Sequence, residues 1–111
     1  QEALREALKL DNDVLIAKSY NVIALNFEEF SDYRKAIDYY QKGIAYALKT
    51  NNDTIKDWLH NNLGNVYAFR VKNPKKAIEE YKKSQVYSLI VGDVIADGGE
   101  PEVIVVKGLT K

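Results

Sequence analysis

Apolar residues recur along most of this chain with the period of one helix face. Ile16, Tyr20, Ile23, Ala24 and Phe27 fall at i, i+4, i+7, i+8 and i+11, which predicts an amphipathic helix. Ala36, Ile37, Tyr40, Ile44, Ala47 and Leu48 share one face of a second helix. Ile55, Leu59, Leu63, Val66, Tyr67 and Arg70 define a third, and Ala77, Ile78, Tyr81 and Ser84 a fourth. Polar residues that accept the free N–H groups of a first helical turn stand where three of these patterns open. They are Asn12 or Asp13 for the first helix and Ser31 or Asp32 for the second. Asn73-Pro74 opens the fourth, with proline at a position where its missing N–H loses nothing. The breaks are short, so successive helices are expected to pack antiparallel. Residues 2–10 read as the end of a further helix.

The pattern repeats. DND at 11–13 recurs as NND at 51–53, and Asp93 follows 40 residues after Asp53. EALKL, YALKT and YSLIV precede these breaks. A unit of about 40 residues built from two helices is therefore expected, since one such unit cannot bury its apolar stripe alone. The chain divides into a helical repeat domain over 1–93 and a remainder over 94–111. Within the first lie the end of a preceding helix (1–10), repeat one (12–50) and repeat two (53–91). A third unit should open at Asp93, but Gly98, Gly99 and Pro101 disfavour a helix, and the β-branched run Val103–Val106 favours extended chain. Residues 94–111 are read as an irregular tail or broken third repeat. A frayed end, an edge strand pairing with a partner, and a distorted helix from Pro101 all fit that segment.

NNLGNVY at 61–67 with KAIEEY at 76–81, and YNVIALNF at 20–27 with KAIDYY at 35–40, resemble the tetratricopeptide repeat family. Its pattern puts Leu-Gly-x-x-Tyr on the first helix of a unit and Ala-x-x-x-Phe/Tyr on the second. Leu63, Gly64, Tyr67, Ala77 and Tyr81 match in the second repeat, and Ile23, Ala24, Phe27, Ala36 and Tyr40 in the first. The resemblance covers about residues 2–93. It implies an all-α, right-handed solenoid of antiparallel helix pairs, with Ala24 or Gly64 letting the helices of a pair approach and Ala36 and Ala77 reciprocating. The sequence departs from the family in four ways. The period is longer, and the turn at 71–76 reads as one residue longer than its counterpart. Tyr20 and His60 stand where tryptophan is usual, and Gly43 and Ser84 where alanine is. The long period is similar to that of bacterial sensor and regulator proteins and of some polarity adaptors in the family.

Stacking leaves the first helix of each pair lining a concave surface. On the third helix Trp58, Asn61, Asn62, Asn65 and Phe69 form a stripe rotated by roughly 100° from the core stripe. One repeat earlier the equivalent stripe is Lys18, Asn21, Val22, Leu25, Glu28 and Glu29. A shared groove suits an extended peptide or a helix, because asparagine amides both donate and accept and the two aromatic side chains offer anchoring area. The plainer reading packs Trp58 and Phe69 against a neighbouring repeat and leaves the asparagines solvated. Family members that clamp a terminal carboxylate carry lysine and asparagine where this chain has Asn21 and Leu25, so no such clamp is expected. Tyr20, Tyr40, Tyr67 and Tyr81 are expected to face the core, while Tyr33, Tyr39, Tyr46 and Tyr87 are freer to reach solvent.

The 111 residues carry 16 Lys+Arg against 16 Asp+Glu, a balance that offers no general field for nucleic acid or anionic lipid. Apolar residues make up 46% and charged residues 29%, as in a soluble globular chain. With no cysteine, disulfides and thiolate metal sites drop out. The one histidine, His60, reads as a packed residue, and Glu28–Glu29 as a solvated face. No nucleophile elbow, phosphate loop or metal-ligand spacing appears. No enzyme activity, cofactor, metal, nucleic acid or membrane insertion is expected. The chain begins at Gln1, contains no methionine, and is read as a piece of a longer protein. Its compartment is not fixed by sequence, with the cytoplasm favoured.

The expected function is a protein–protein interaction module that takes a peptide or protein segment in the groove, as part of a signalling or scaffold protein. A second reading is a structural module that joins copies of itself, or neighbouring domains, through repeat ends or residues 103–106. A third is a regulatory piece of an activity housed in other domains.

Overall fold

The computed structural model describes residues 2–97, with side chains described to Ser88. Five α-helices follow one another: α1 (Glu2–Lys9), α2 (Asp13–Glu29), α3 (Tyr33–Ala47), α4 (Asp53–Asn65) and α5 (Pro74–Asp97), with a π turn, Val66–Arg70, continuing α4. The domain is all-α, and sequential helices pack antiparallel. Helix α2 pairs with α3 and α4 with α5, α3 joins the two pairs to each other, and α1 lies against α2.

Helices α2 to α5 each start where a short polar side chain accepts a first-turn N–H. Asn12 accepts from Leu15 (3.1 Å), Asp32 from Lys35 (3.3 Å), Asn52 from Ile55 (3.0 Å) and Asn73 from Lys76 (3.2 Å). Each such cap is worth about 1 kcal/mol. Of the alternatives left open by sequence, Asn12 and Asp32 are the caps. Three helix ends turn on a residue with positive φ, namely Asp11 (51°), Ser31 (62°) and Lys72 (55°). At the end of α2 this lets Ser31 N–H reach Glu28 C=O and Asp32 N–H reach Phe27 C=O, closing two otherwise free carbonyls.

Small residues hold the pair seams. Ala17, Ala24, Ala36 and Ala47 are fully buried, and Leu59, Leu63, Ile55, Val66 and Tyr40 fill the space between pairs. Gly43 is needed where it stands. A Cβ there would come within 2.9 Å of Leu59 Cδ2 and 3.2 Å of Tyr20 Cβ, so the close approach of α2, α3 and α4 depends on its absence. Ala77, Tyr67 and Gly64 are buried as expected of packing residues.

Several expectations are corrected. Tyr81 packs against the core as expected but is only half-buried, and Tyr20 is half-buried in a row of rings, stacked on Tyr39 (6.0 Å) and Tyr46 (5.8 Å). Tyr33, Tyr39, Tyr46 and Tyr87 are also half-buried, so the two groups of tyrosines differ less than the periodicity suggests. Leu48 (57% exposed), Ile78 (53%) and Arg70 lie outside the core. The cause at Arg70 is the π turn, closed by Val71 N–H on Val66 C=O (3.0 Å), which takes the last turn of the helix out of the 3.6-residue phase. The extra residue of repeat two therefore lies in the helix and not in the connection at 71–76. The turns Ser31-Asp32-Tyr33 and Lys72-Asn73-Pro74 match, with positive φ at Ser31 and Lys72 and caps at Asp32 and Asn73. Helix α5 also runs past the expected break at Asp93 to Asp97. The extended run expected at 103–106 lies outside the described residues.

Candidate functional site

Helices α2 and α4, the first of each pair, touch directly. The contact is fixed in register by Asn62 Nδ2–H donating to Asn21 Oδ1 (3.0 Å), a part-buried bond between residues 41 apart. The two predicted stripes are thereby brought side by side. Lys18, Leu25, Asn61, Trp58 and Phe69 are exposed, the last two at 50% and 69%. Asn21, Glu28, Asn62 and Asn65 are half-buried, while Val22 and Glu29 are exposed at the outer edge.

The polar groups are more occupied than the sequence suggests. Asn21 and Asn62 hold each other, and Tyr81 O–H donates to Asn65 Oδ1 at 2.5 Å, which leaves the Nδ2 group of Asn65 facing the groove end. Asn61 has no hydrogen-bond partner among the described residues, so its whole amide is available. Glu28 accepts from the buried Tyr40 O–H (3.2 Å). Burial raises the Glu28 carboxyl above its ordinary range, only partly opposed by that hydrogen bond and by Arg70. Burial likewise pushes the Tyr40 phenol far up, reinforced by the neighbouring Glu28 charge.

Two depressions open along this surface. One of about 360 Å³ is bounded by Glu28, Asn65, Phe69 and Arg70. A larger one of about 470 Å³ lies between α4 and α5, lined by Asp57, Trp58, Asn61, Tyr81, Ser84, Gln85 and Ser88. Asp57 did not stand out in the sequence, and Ser84 did so only as a core-face position where the family has alanine; Ser84 O–H donates to Asp57 Oδ1 in the wall of the second. The signal that could have found them is the repeat itself, which aligns them with Ala17 and Gly43.

Beneath the α4–α5 seam His60, 4% exposed, meets Glu80 at 2.7 Å (Nδ1 to Oε1) and stacks on Tyr87 at 5.9 Å. Burial opposes the Glu80 charge, but the hydrogen bond from His60 and the nearby Lys83 outweigh it and hold the carboxyl below its ordinary range. The ring pair repeats the Tyr20–Tyr46 stack of the first pair, so His60 stands in a packing role. Among the described residues no group of three metal-ligating side chains converges, and no helix is long and apolar enough to cross a membrane. No known protein family, curated protein or solved structure matches this chain.

Proposed function

We propose that this chain is a tetratricopeptide-like helical solenoid and a protein-interaction module, binding a peptide or protein segment along the surface shared by α2 and α4. The supporting observation is the Asn62–Asn21 hydrogen bond, which aligns the first helices of the two pairs while Trp58 and Phe69 stay largely in solvent. Eleven residues of helix separate those two rings, roughly 16 Å along the axis. That is about five residues of extended chain, so the reading calls for a segment with two apolar anchors at that spacing. The unpartnered Asn61 amide and the free Nδ2 group of Asn65 lie between them and suit a peptide backbone.

A random peptide display library, selected on this protein, tests the reading. Enriched peptides should bind Trp58→Ala and Phe69→Ala variants about 10- to 30-fold more weakly, the loss of one interface anchor, with helix content unchanged. Peptides indifferent to both substitutions would reject the groove. A second reading, self-association or packing on a neighbouring domain, draws on an apolar cleft of about 360 Å³ at the other end, lined by Leu4, Ile23, Asn26, Phe27, Phe30 and Tyr39. Phe30 beside it is 82% exposed. A library that yields no binders, together with a solution mass that rises with concentration, would favour that reading.

A further inference from the structure

The face of the first pair that receives α4 has a counterpart on the second pair, and the two differ in chemistry. On α2 and α3 this seat is made by Ala17, Asn21, Tyr40, Gly43, Ile44 and Ala47: Leu59 lies against Gly43, and Asn62 bonds Asn21. Counting 40 residues on along α2 and 41 along α3 gives Asp57, Asn61, Tyr81, Ser84, Gln85 and Ser88. These are six of the seven residues that line the open cleft of about 470 Å³ between α4 and α5, and the seventh is Trp58. Only the asparagine and the tyrosine are kept. Ala17-Lys18 has become Asp57-Trp58, so the seat loses a positive charge at its rim and gains a negative one beside a large ring. A face that ends a stack in water needs polar groups, but it does not need a half-exposed indole next to a carboxylate.

We propose that this cleft takes the guanidinium of an arginine carried by the partner segment that lies along α2 and α4, an assignment that rests on the groove reading. Asp57 supplies the charge. Among the described residues its carboxylate has a single hydrogen-bond partner, Ser84 O–H, and no ion pair, which leaves one oxygen open. Nearby lysines are engaged elsewhere: Lys56 with Asp53 (3.5 Å) and over the Tyr87 ring, and Lys83 with Glu80 (3.5 Å). A half-buried carboxylate in an aromatic-walled cleft is less screened by water than one on open surface, which strengthens its pull on a cation. Gln85 and Ser88 have no hydrogen-bond partner among the described residues and add acceptors around the same space. Trp58 and Tyr81 add aromatic surface, on which a planar, weakly hydrated guanidinium fares better than a compact ammonium. The five N–H groups of arginine also reach acceptors spread across a cleft, where lysine brings three donors to one point. Asp57 adjoins Trp58 in sequence, so an arginine next to the residue anchored on Trp58 can reach it.

Trp58 is the only tryptophan, so its fluorescence reads the cleft directly. N-acetyl-arginine methylamide titrated into the full chain should give a saturable change in Trp58 emission. The citrulline counterpart, equal in shape and uncharged, should give none, and the lysine counterpart should bind about threefold more weakly. Asp57→Asn should weaken the arginine compound about 10-fold with far-ultraviolet helicity retained, while Phe69→Ala, outside the cleft, should leave its affinity unchanged. Equal binding of the arginine and citrulline compounds, no response to either, or full affinity in Asp57→Asn would overturn the proposal. Library peptides read the groove separately. Those enriched should carry an arginine, and citrulline in its place should cost about 10-fold. Peptides that are weakened by Phe69→Ala yet contain no arginine would keep the groove and overturn the cleft. An Asp57-dependent arginine response in a protein that selects no peptide would support the guanidinium site and reject only the groove.

Discussion

Tyr40 and Tyr81 hold the same position in successive helix pairs, yet one is completely buried and the other half open. Each phenol finds an oxygen on the first helix of its own pair or at that helix's end, Glu28 for Tyr40 and Asn65 for Tyr81. What differs is the layer above. Tyr40 belongs to the buried cluster that includes Leu63 and Val66 of the next pair, whereas Tyr81 lines a cleft. The local sequence determines that a tyrosine goes there, and the next unit determines how much that tyrosine is worth. Stability in a stacked protein of this kind resides as much between units as within them.

The largest test of that contrast is truncation of the two rings. Tyr40→Ala should cost about 4 kcal/mol and Tyr81→Ala about 2 kcal/mol, because only the first leaves an enclosed cavity. Urea denaturation of both variants measures the difference, and equal losses would mean that the open end is as well packed as the middle.

Much of this was readable in advance. Three capped helix starts, the antiparallel order and the alanine seams follow from period, caps and small residues, which are local signals, whereas the surface position of Trp58 and Phe69 was one of two readings the sequence left open. Three things were not. The burial of Tyr20 and Tyr81 depends on which neighbour is present, and a face pattern on one helix does not hold that information. The internal bonds of Asn21, Asn62 and Asn65 depend on a register between helices 41 residues apart. The π turn leaves no mark in composition, since VYAFR is an ordinary helical string. It shows only as a step from 40 to 41 in the repeat count.

Converting both Gly43 and Ser84 to alanine sharpens the comparison at a smaller scale. Gly43→Ala should be destabilising by about 1–2 kcal/mol, since the added methyl group meets Leu59, Tyr20 and the Ala17 carbonyl, and overpacking exceeds the gain in helix propensity. Ser84→Ala should lose only its hydrogen bond to Asp57, about 0.5–1 kcal/mol, with nothing displaced. Thermal melts of the two variants rank them, and a costlier Ser84→Ala would show that the polar seat is the tighter of the two.

The two half-buried glutamates give the smallest and most specific contrast. The folded-state value of Glu80 is depressed, so its charge contributes stability above the ordinary carboxylate value near 4.3 and loses it as pH falls through the folded value. Glu80→Gln should therefore cost about 1.5 kcal/mol at pH 7, and the cost should fade in acid. Glu28 has the opposite sign. Its folded-state value is raised, so its charge weakens the fold at neutral pH, and that penalty disappears as pH falls through the raised value. Glu28→Gln keeps an acceptor for Tyr40 and should leave stability at pH 7 unchanged or slightly higher. Urea titrations of both variants at pH 7 and in acid read the two signs, and parallel behaviour would remove the electrostatic distinction between the pairs.

The odd residue absorbed at Val66–Arg70 changes where variation in chain length is tolerated. Inserted in the connector, it would have altered the reversal that aims α5; inside the helix, it leaves the Lys72-Asn73 corner a copy of Ser31-Asp32. The corner is conserved within the molecule and the wall is edited. One additional side chain is thus presented beside Asn65 and Phe69 without moving the scaffold that carries them. A chain that grows or shrinks by single residues at this place can redraw its recognition surface while its joints stay the same.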